Sequence, residues 1–386
     1  MAANLSSEAW LKRLVAFDTT SANSNLALIE DVAGYLDRFG VHAHLVHNDE
    51  GDKANLYATI GPDDRGGVVL SGHSDVVPVT GQPWRTDPFA LHAAEGKLYG
   101  RGTADMKGFI ACVLAAVPAL VERGLATPVH IALSYDEEVG CVGVRRLLDM
   151  IRAELPRPAA VIVGEPTGMR VVNAHKGISV QTTTVTGRDG HSSAPERGVS
   201  AIAYSAEIIR FLAGLARELA SKGGADPRFE PPGTTLNVGT IWGGTAVNII
   251  ARECSFRWEF RSIPDADPAA VLARFDAFVA AEILPRMRAV HPDATVVTEI
   301  RAGSPALRAE PDSAAEALAR RLTGANESHA AAFVCEAGLF RQAGIPAVVC
   351  GPGEISEAHQ PNEFIARDQL AACDAFLARL VDYVAG

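Results

Sequence analysis

Residues 68–75 read Val-Val-Leu-Ser-Gly-His-Ser-Asp: a short, partly β-branched run that breaks at Gly72 and delivers His73 and Asp75. A run of this length flanked by glycine reads as a strand. The same pattern recurs at 41–46, 56–60, 129–133, 159–163 and 347–349. Between these runs the apolar spacing changes to three and four, which predicts helices. They fall at 7–39 (as one or two helices), 108–123, 140–153 and 312–323. Strands alternating with helices predict an α/β layer built on a mostly parallel sheet.

Residues 177–300 follow a different order. An alternating strand at 178–185 precedes a helix at 199–220, two strands at 234–241 and 248–260 meeting near Gly243-Gly244, a helix at 268–290 and a strand at 294–300. This is the β-α-β-β-α-β order of ferredoxin-like domains. The reading is therefore one α/β domain in two parts, 1–176 and 301–386, with a ferredoxin-like domain inserted at 177–300.

Composition narrows the function. The net charge of −11 disfavours nucleic acid or an anionic membrane as partner. The longest apolar run, 109–121, has thirteen residues including Pro118 and reads as a buried helix, well short of the ~20 that span a bilayer. The first ten residues, MAANLSSEAW, lack a basic n-region and an apolar h-region, so no signal peptide is expected. The six cysteines are scattered without a C-x-x-C, which predicts neither thiolate zinc nor disulfides. The expected location is a reducing cytoplasm.

Ligands of open α/β sheets gather beyond the carboxyl ends of the strands. There the chain places His73 and Asp75, then Asp105 in GRGTADMKG, Glu137-Glu138 after 129–133, Glu165 after 159–163 and His359 after 347–350. These are nitrogen and oxygen donors only, which suits zinc, cobalt or manganese, and two ions could share a bridging Asp. Asp75, two residues from His73, can accept the free imidazole N–H. Of the adjacent glutamates, one can bind metal while the other stays free as a base.

Each piece alone has a plainer reading. His73 and Asp75 could be a strand-end polar pair, Glu137-Glu138 a solvated helix start, Asp105 a helix cap, Glu165 part of a turn, and His359 a loop histidine. Their joint placement at strand ends makes coincidence a poor explanation. His42, His44 and His47 suggest a metal cluster, but His42 and His44 alternate with apolar residues and read as a solvated strand face. Phosphate-loop, G-x-S-x-G and H-E-x-x-H motifs are absent from the sequence.

The segments SGHSDVVP, YGRGTADMKG, DEEVG, VGEPT, GRDGHSSAPERGVSAI and GPGEISEAHQPNEFI, in this order, resemble the dinuclear-zinc aminoacylase and exopeptidase family over nearly the whole chain. The resemblance implies that His73, Asp105 and Glu165 hold one ion, and that Asp105, Glu138 and His359 hold another. It makes Glu137 the general base and places Asp75 behind His73. It implies two divalent ions per subunit, zinc with cobalt as a replacement, and a homodimer formed through the inserted domain. It also makes His191 an oxyanion donor, where local sequence alone reads a turn histidine after Gly190. No position of this metal and base set departs from the family pattern.

Within the family, FDTTSANSNLALIE, GGTAVNIIARECSFRWEFR and CEAGLFRQAGIPAVVCGPG are most similar to the branch that deacetylates acetylornithine. The desuccinylase branch shows a Ser-Asp-Gly type segment where this chain has Glu336-Ala337-Gly338. The resemblance implies N2-acetyl-L-ornithine as the substrate, giving ornithine and acetate, with desuccinylation of succinyl-diaminopimelate or deacylation of another N-acyl amino acid as the runner-up. A non-catalytic metal or amino-acid binding protein is the alternative outside enzymes. Asn248 and Arg257, read on strands of the inserted domain, either clamp the substrate α-carboxylate or decorate a surface sheet. Glu336 either meets the substrate ammonium or caps a helix starting at Ala337.

Overall fold

The computed structural model describes residues 4–222 and 224–386. Its strands are β1 (Ala43–His47), β2 (Ala54–Ile60), β3 (Val68–His73), β4 (His92–Ala94), β5 (Lys97–Tyr99), β6 (Val129–Ser134), β7 (Ala160–Pro166), β8 (Val172–His175), β9 (Gly177–Thr186), β10 (Thr235–Gly243), β11 (Glu253–Ser262), β12 (Thr295–Ser304), β13 (His329–Ala331), β14 (Ala347–Gly351) and β15 (Phe364–Ala366). The helices are α1 (Ser7–Val15), α2 (Leu26–Asp37), α3 (Gly108–Arg123), α4 (Val144–Glu154), α5 (Ala201–Lys222), α6 (Pro268–Phe278), α7 (Leu284–Val290), α8 (Ala314–Thr323), α9 (Ala337–Gln342) and α10 (Arg367–Ala385). The chain divides into two units. The first runs to Ala174 and resumes over Leu307–Ala330 and Cys335–Gly386; the second is His175–Ala306 with Ala331–Val334.

The large sheet of the first unit has the order β1-β2-β6-β3-β7-β14-β8-β13. Its centre is parallel: β6 pairs β3, β3 pairs β7 and β7 pairs β14 in one direction. The flanks β1 and β2 run antiparallel, as does β8 against β14. The sheet is thus mixed, with a parallel heart. Strands buried on both faces read as continuous apolar runs, and every residue of β3, β6 and β14 is buried. On the outermost flank, β1 keeps an in-and-out pattern.

Helix α3 is apolar around most of its circumference because the core surrounds it, with Phe109, Ile110, Val113, Leu114 and Val117 all in the main hydrophobic cluster. The helical stretch Thr103–Arg123 has the length and hydropathy of a membrane span, but 78% of its apolar window is buried inside the protein. Helix α3 itself starts at Gly108, where an added Cβ would lie 2.5 Å from the Thr103 carbonyl oxygen. A small third sheet, β15-β5-β4, pairs Phe364 with Tyr99 and so brings the segment after His359 against the segment before Asp105.

The second unit is a four-stranded antiparallel sheet, β10-β11-β9-β12. With α5 after β9 and α6–α7 after β11, it has the ferredoxin-like order. Phe256, Trp258 and Phe260 alternate onto the helix-covered face, and Phe211 of α5 stacks on Phe278 of α6 at 4.1 Å. Two sequence expectations need correcting. The helix expected over 268–290 is interrupted by a π-helical turn at Val279–Ile283. The strand expected from 248 begins at Glu253, because the preceding residues form a loop tied back by Ile250 N–H to Gly190 O at 2.8 Å and Gly187 N–H to Arg252 O at 2.7 Å.

Candidate metal centre

The parallel heart of the sheet explains why the donors meet. Strands running the same way end at one rim. His73 closes β3 in register with Ser134, which closes β6, and Glu137 and Glu138 follow three and four residues later. Glu165 is the penultimate residue of β7, and the chain after β14 brings in His359 at φ +62°. Asp105 lies in the kinked segment Thr103–Lys107, entered through Gly102 at φ +80°. Gly164 lets the Phe109 ring press on the β7 backbone beside Glu165; a Cβ there would sit 2.0 Å from the ring.

These side chains converge. His73 Nε2 lies 2.9 Å from Asp105 Oδ1 and 3.8 Å from Glu165 Oε1. His359 Nε2 lies 3.3 Å from Asp105 Oδ2 and 3.0 Å from Glu138 Oε2. Asp105 therefore faces one histidine with each oxygen. Ligand atoms of His73, Glu137 and Glu165, and again of His73, Asp105 and Glu138, lie within 4.8 Å of one another. Both glutamates of the 137–138 pair thus reach the cluster, but their partners differ. Glu138 faces His359, whereas the Cys141 thiol donates to Glu137 Oε1 at 3.2 Å.

The electrostatics are those of crowded acids. Burial pushes the Glu137 and Glu165 carboxyls well above their usual range, with neighbouring carboxylates adding to it. Burial and Asp105 raise Glu138 to about 7. Burial opposes a charge on His73, but Asp105, Asp75 and Glu165 outweigh it and hold its pKa well above the imidazole range. Asp105 and Glu138 raise His359 to about 10. Burial would raise Asp105, but His359 and His73 hold it below its usual value. Glu138 Oε1 is buried with no hydrogen-bond partner. Mutually repelling buried carboxylates, two imidazoles and an orphaned carboxylate oxygen fit a divalent cation, and this donor set suits zinc, cobalt or manganese.

The supporting shell differs from expectation in two places. His73 Nδ1 lies 2.9 Å from the main-chain carbonyl of Asp75, while the Asp75 carboxylate is 3.6 Å away. That carboxylate instead accepts from the Glu137 and Glu138 N–H groups at 3.1 and 3.2 Å and from Ser21 Oγ at 2.7 Å. The carboxylate still stands beside the ring as an ion-pair partner, with the main-chain carbonyl as the nearer acceptor. Glu336 makes no side-chain cap bond to α9. It is 1% exposed, and Oε1 accepts from Ser134 Oγ at the end of β6. Burial raises its pKa to about 7. The helix-cap reading is therefore corrected, and Glu336 lies close enough to the cluster for its charge to act on Glu137 and His73.

Sequence reasoning missed several contributors. Glu363 Oε1 accepts from the Ala104 and Asp105 N–H groups at 2.9 and 3.1 Å, and Oε2 accepts from Gly102 N–H and Arg101 Nη1 at 3.1 and 2.7 Å. Lys107 is buried, donates to Phe17 O at 2.8 Å, and is lowered to about 7 by that burial. Cys141 sits at φ +54°, a backbone region uncommon for a residue with a Cβ. Glu363 was visible within the PNEFI segment; Cys141 carried no sequence signal.

The remaining predicted residues lie in the second unit. His191 is exposed, and its Nδ1 accepts from Ser193 N–H and Oγ at 3.2 and 2.7 Å. Asn248 lies in the loop before β11 rather than on a strand, and its carbonyl accepts from Ser192 N–H at 3.1 Å. His191 and Asn248 are therefore neighbours. Arg257 is on β11, exposed, with its guanidinium 5.8 Å from the Trp242 ring centre.

A parallel-centred α/β sheet whose strand ends gather imidazoles and carboxylates into two donor triads is the framework of a metal centre. The profile of peptidase family M20/M25/M40 matches residues 69–383, and the chain belongs to that family. It is 37% identical over 385 residues to an acetylornithine deacetylase of Myxococcus xanthus, covering 98% of this chain and 97% of that one. Among solved structures it resembles a family M20 metallo-carboxypeptidase of Sulfolobus solfataricus (TM-score 0.77, 20% identity, 98% and 99% of the two chains). It also resembles a dinuclear metal-binding peptidase of the same family from Bacillus subtilis (TM-score 0.61, 16% identity, 98% and 99%).

Proposed function

We propose that this chain removes the acetyl group from N2-acetyl-L-ornithine, giving L-ornithine and acetate in arginine biosynthesis. It does so as a cytoplasmic homodimer joined through the second unit, with two zinc ions per subunit that cobalt can replace. The observation that carries the substrate is the end-to-end similarity to an acetylornithine deacetylase. What carries the chemistry is a carboxylate, Glu137, set beside a cluster of metal donors.

His73, Asp105, Glu138, Glu165 and His359 would hold the ions, with Asp105 facing both histidines. Bound divalent ions lower the pKa of water towards ~7 and polarise an acyl carbonyl. The chain's own part is proton traffic and positioning. Glu137 takes the proton of the attacking water and returns it to the departing amine. A carboxyl held well above its usual range by burial suits both halves of that task. Cys141 fixes one of its oxygens, and Asp75 fixes the backbone of the glutamate pair. His191 supplies a donor to the oxyanion of the tetrahedral intermediate in the partner subunit's site. Arg257 and Asn248 hold the substrate α-carboxylate, Arg257 through a two-pronged contact.

Acetate release from N2-acetyl-L-ornithine and N-acetyl-L-methionine, beside succinate release from N-succinyl-LL-diaminopimelate, tests the reading before and after chelation. The expected order in kcat/KM places acetylornithine first, with activity lost to the chelator and restored by zinc or cobalt. A higher kcat/KM for the succinyl substrate would overturn the substrate, and full chelator-resistant turnover would overturn the metal chemistry.

A further inference from the structure

Lys53 immediately precedes β2, at the antiparallel flank of the large sheet. Its ammonium nonetheless reaches the turn that carries the Glu137-Glu138 pair. Nζ donates to Asp136 Oδ1 and to the Ser21 carbonyl, each at 2.6 Å. The side chains of Lys53 and Asp136 are 12% and 18% exposed, so the pair is largely buried rather than a solvated surface contact.

These two bonds close a ring. Asp136 leads directly into Glu137 and Glu138, whose N–H groups donate to the Asp75 carboxylate at 3.1 and 3.2 Å. The same carboxylate accepts from Ser21 Oγ at 2.7 Å, and the Ser21 carbonyl returns to Lys53. The segments before α2, before β2 and after β3 are thereby tied to the turn after β6. That turn needs holding. Asp136 sits at φ +56°, a region that costs energy for a residue with a Cβ and persists where its surroundings over-determine it. Backbone bonds secure one side of the turn: Gly140 and Cys141 N–H donate to Glu137 O at 2.9 Å, and Val142 N–H to Asp136 O at 3.0 Å. Lys53 secures the other. Glu138 has a further anchor in the metal cluster, where it faces His359 at 3.0 Å. The Glu137 side chain has a softer one, the Cys141 thiol at 3.2 Å. Its aim therefore leans more heavily on the main chain that the ring fixes.

We propose that Lys53 is a positioning residue for the hydrolysis, its ammonium closing the ring that aims the Glu137 carboxylate. The proposal rests on the reading of Glu137 as general base. A base must lie within hydrogen-bond reach of the proton it takes, and a displacement of about 1 Å can cost ~10²-fold in rate. Opening the ring loosens the turn without removing the carboxylate, so the loss is smaller, about tenfold, and falls on kcat.

Lys53→Met, Asp136→Asn and the double variant test this in the zinc-loaded protein, with Glu137→Gln as reference and whichever N-acetyl amino acid the wild type turns over fastest. Asp136→Asn keeps the side-chain shape and suits the left-handed backbone, so it carries the test if Lys53→Met fails to fold. Each single variant should lose about tenfold in kcat, with KM and zinc content within twofold of wild type. The double variant should lose about tenfold as well, not a hundredfold, because both changes open the same ring. Hydrogen exchange of the 135–143 segment should quicken at least fivefold in all three variants. A kcat within twofold of wild type in the singles, while Glu137→Gln is inactive, would overturn the role of Lys53 and leave the base standing. Multiplying losses in the double variant, or a kcat loss matched by zinc loss, would overturn it too. Full turnover in Glu137→Gln would remove the base, and the proposal with it.

Discussion

Replacing Glu363 by Gln tests how the Asp105 segment is held. The two carboxylate oxygens of Glu363 collect three backbone N–H groups and the Arg101 guanidinium, and both members of that ion pair are 1% exposed. Burial raises the Glu363 pKa and Arg101 opposes this, so the charge persists because its partner is there. The Glu363→Gln side chain has the same shape, but one of its two positions becomes an NH2 facing donors. Arg101 then keeps its buried charge without a counter-charge. Breaking a buried pair from one side costs about 3–5 kcal/mol, which in a unit of this size lowers the melting temperature by roughly 10 °C. Because the same oxygens set the main chain at Asp105, metal affinity should fall about tenfold or more, as for other groups that orient ligands. Thermal melts with and without zinc, and zinc competition against a chelator, measure both. A melting temperature within 2 °C of wild type together with unchanged zinc affinity would refute the reasoning.

Glu137→Gln should lower kcat by at least ~10² with zinc content unchanged, whereas Glu138→Gln should weaken zinc binding; identical behaviour in a metal titration would erase the division between base and ligand. His191→Ala should lower kcat more than it raises KM, and mixing it with Glu137→Gln should regain activity in exchanged dimers; confirmed exchange without recovery would confine His191 to its own subunit or exclude it from the reaction. His130 offers a pH test: its pKa of about 4 in the fold lies below an ordinary imidazole near 6.5, so the unfolded chain binds the proton first and stability is lost as pH falls from 6.5 to 4. The gap corresponds to about 3 kcal/mol, and urea unfolding of His130→Gln should show a correspondingly shallower loss than wild type over that window.

The catalytic layer was legible because parallel strands impose a simple rule. Residues after His73, Ser134, Glu165 and Gly351 must meet at one rim, and the polar residues following each apolar run are the donors found there. The second unit was equally legible as an order of elements, since alternation along β9 and β11 survives in the sequence. The supporting contacts were not. Asp75 does stand beside His73, but its bonds to the Glu137 and Glu138 N–H groups and to Ser21 come from other segments and leave no local trace. Glu336 was misread because nothing local tells a capping carboxylate from one turned inward onto Ser134. Cys141 reaches Glu137 through a left-handed turn that leaves no periodic trace. The short strands β8, β13 and β15 and helix α10 escaped notice because three- and four-residue strands carry no period and α10 lay beyond the last motif.

The order of the large sheet has a consequence for synthesis. β7 is flanked by β3 on one side and by β14 on the other, yet about 180 residues separate β7 from β14 along the chain. While the ribosome works through the second unit, β7 shows a bare hydrogen-bonding edge in what will become the middle of the sheet, and His359 has not yet been made. The nascent chain therefore holds this buried strand position open for the ~10–40 s that 180 residues take at 5–20 residues per second. An open edge of this kind invites pairing with another chain. Codon changes that slow translation of the second unit should thus increase the insoluble fraction, with the finished protein's stability unaltered.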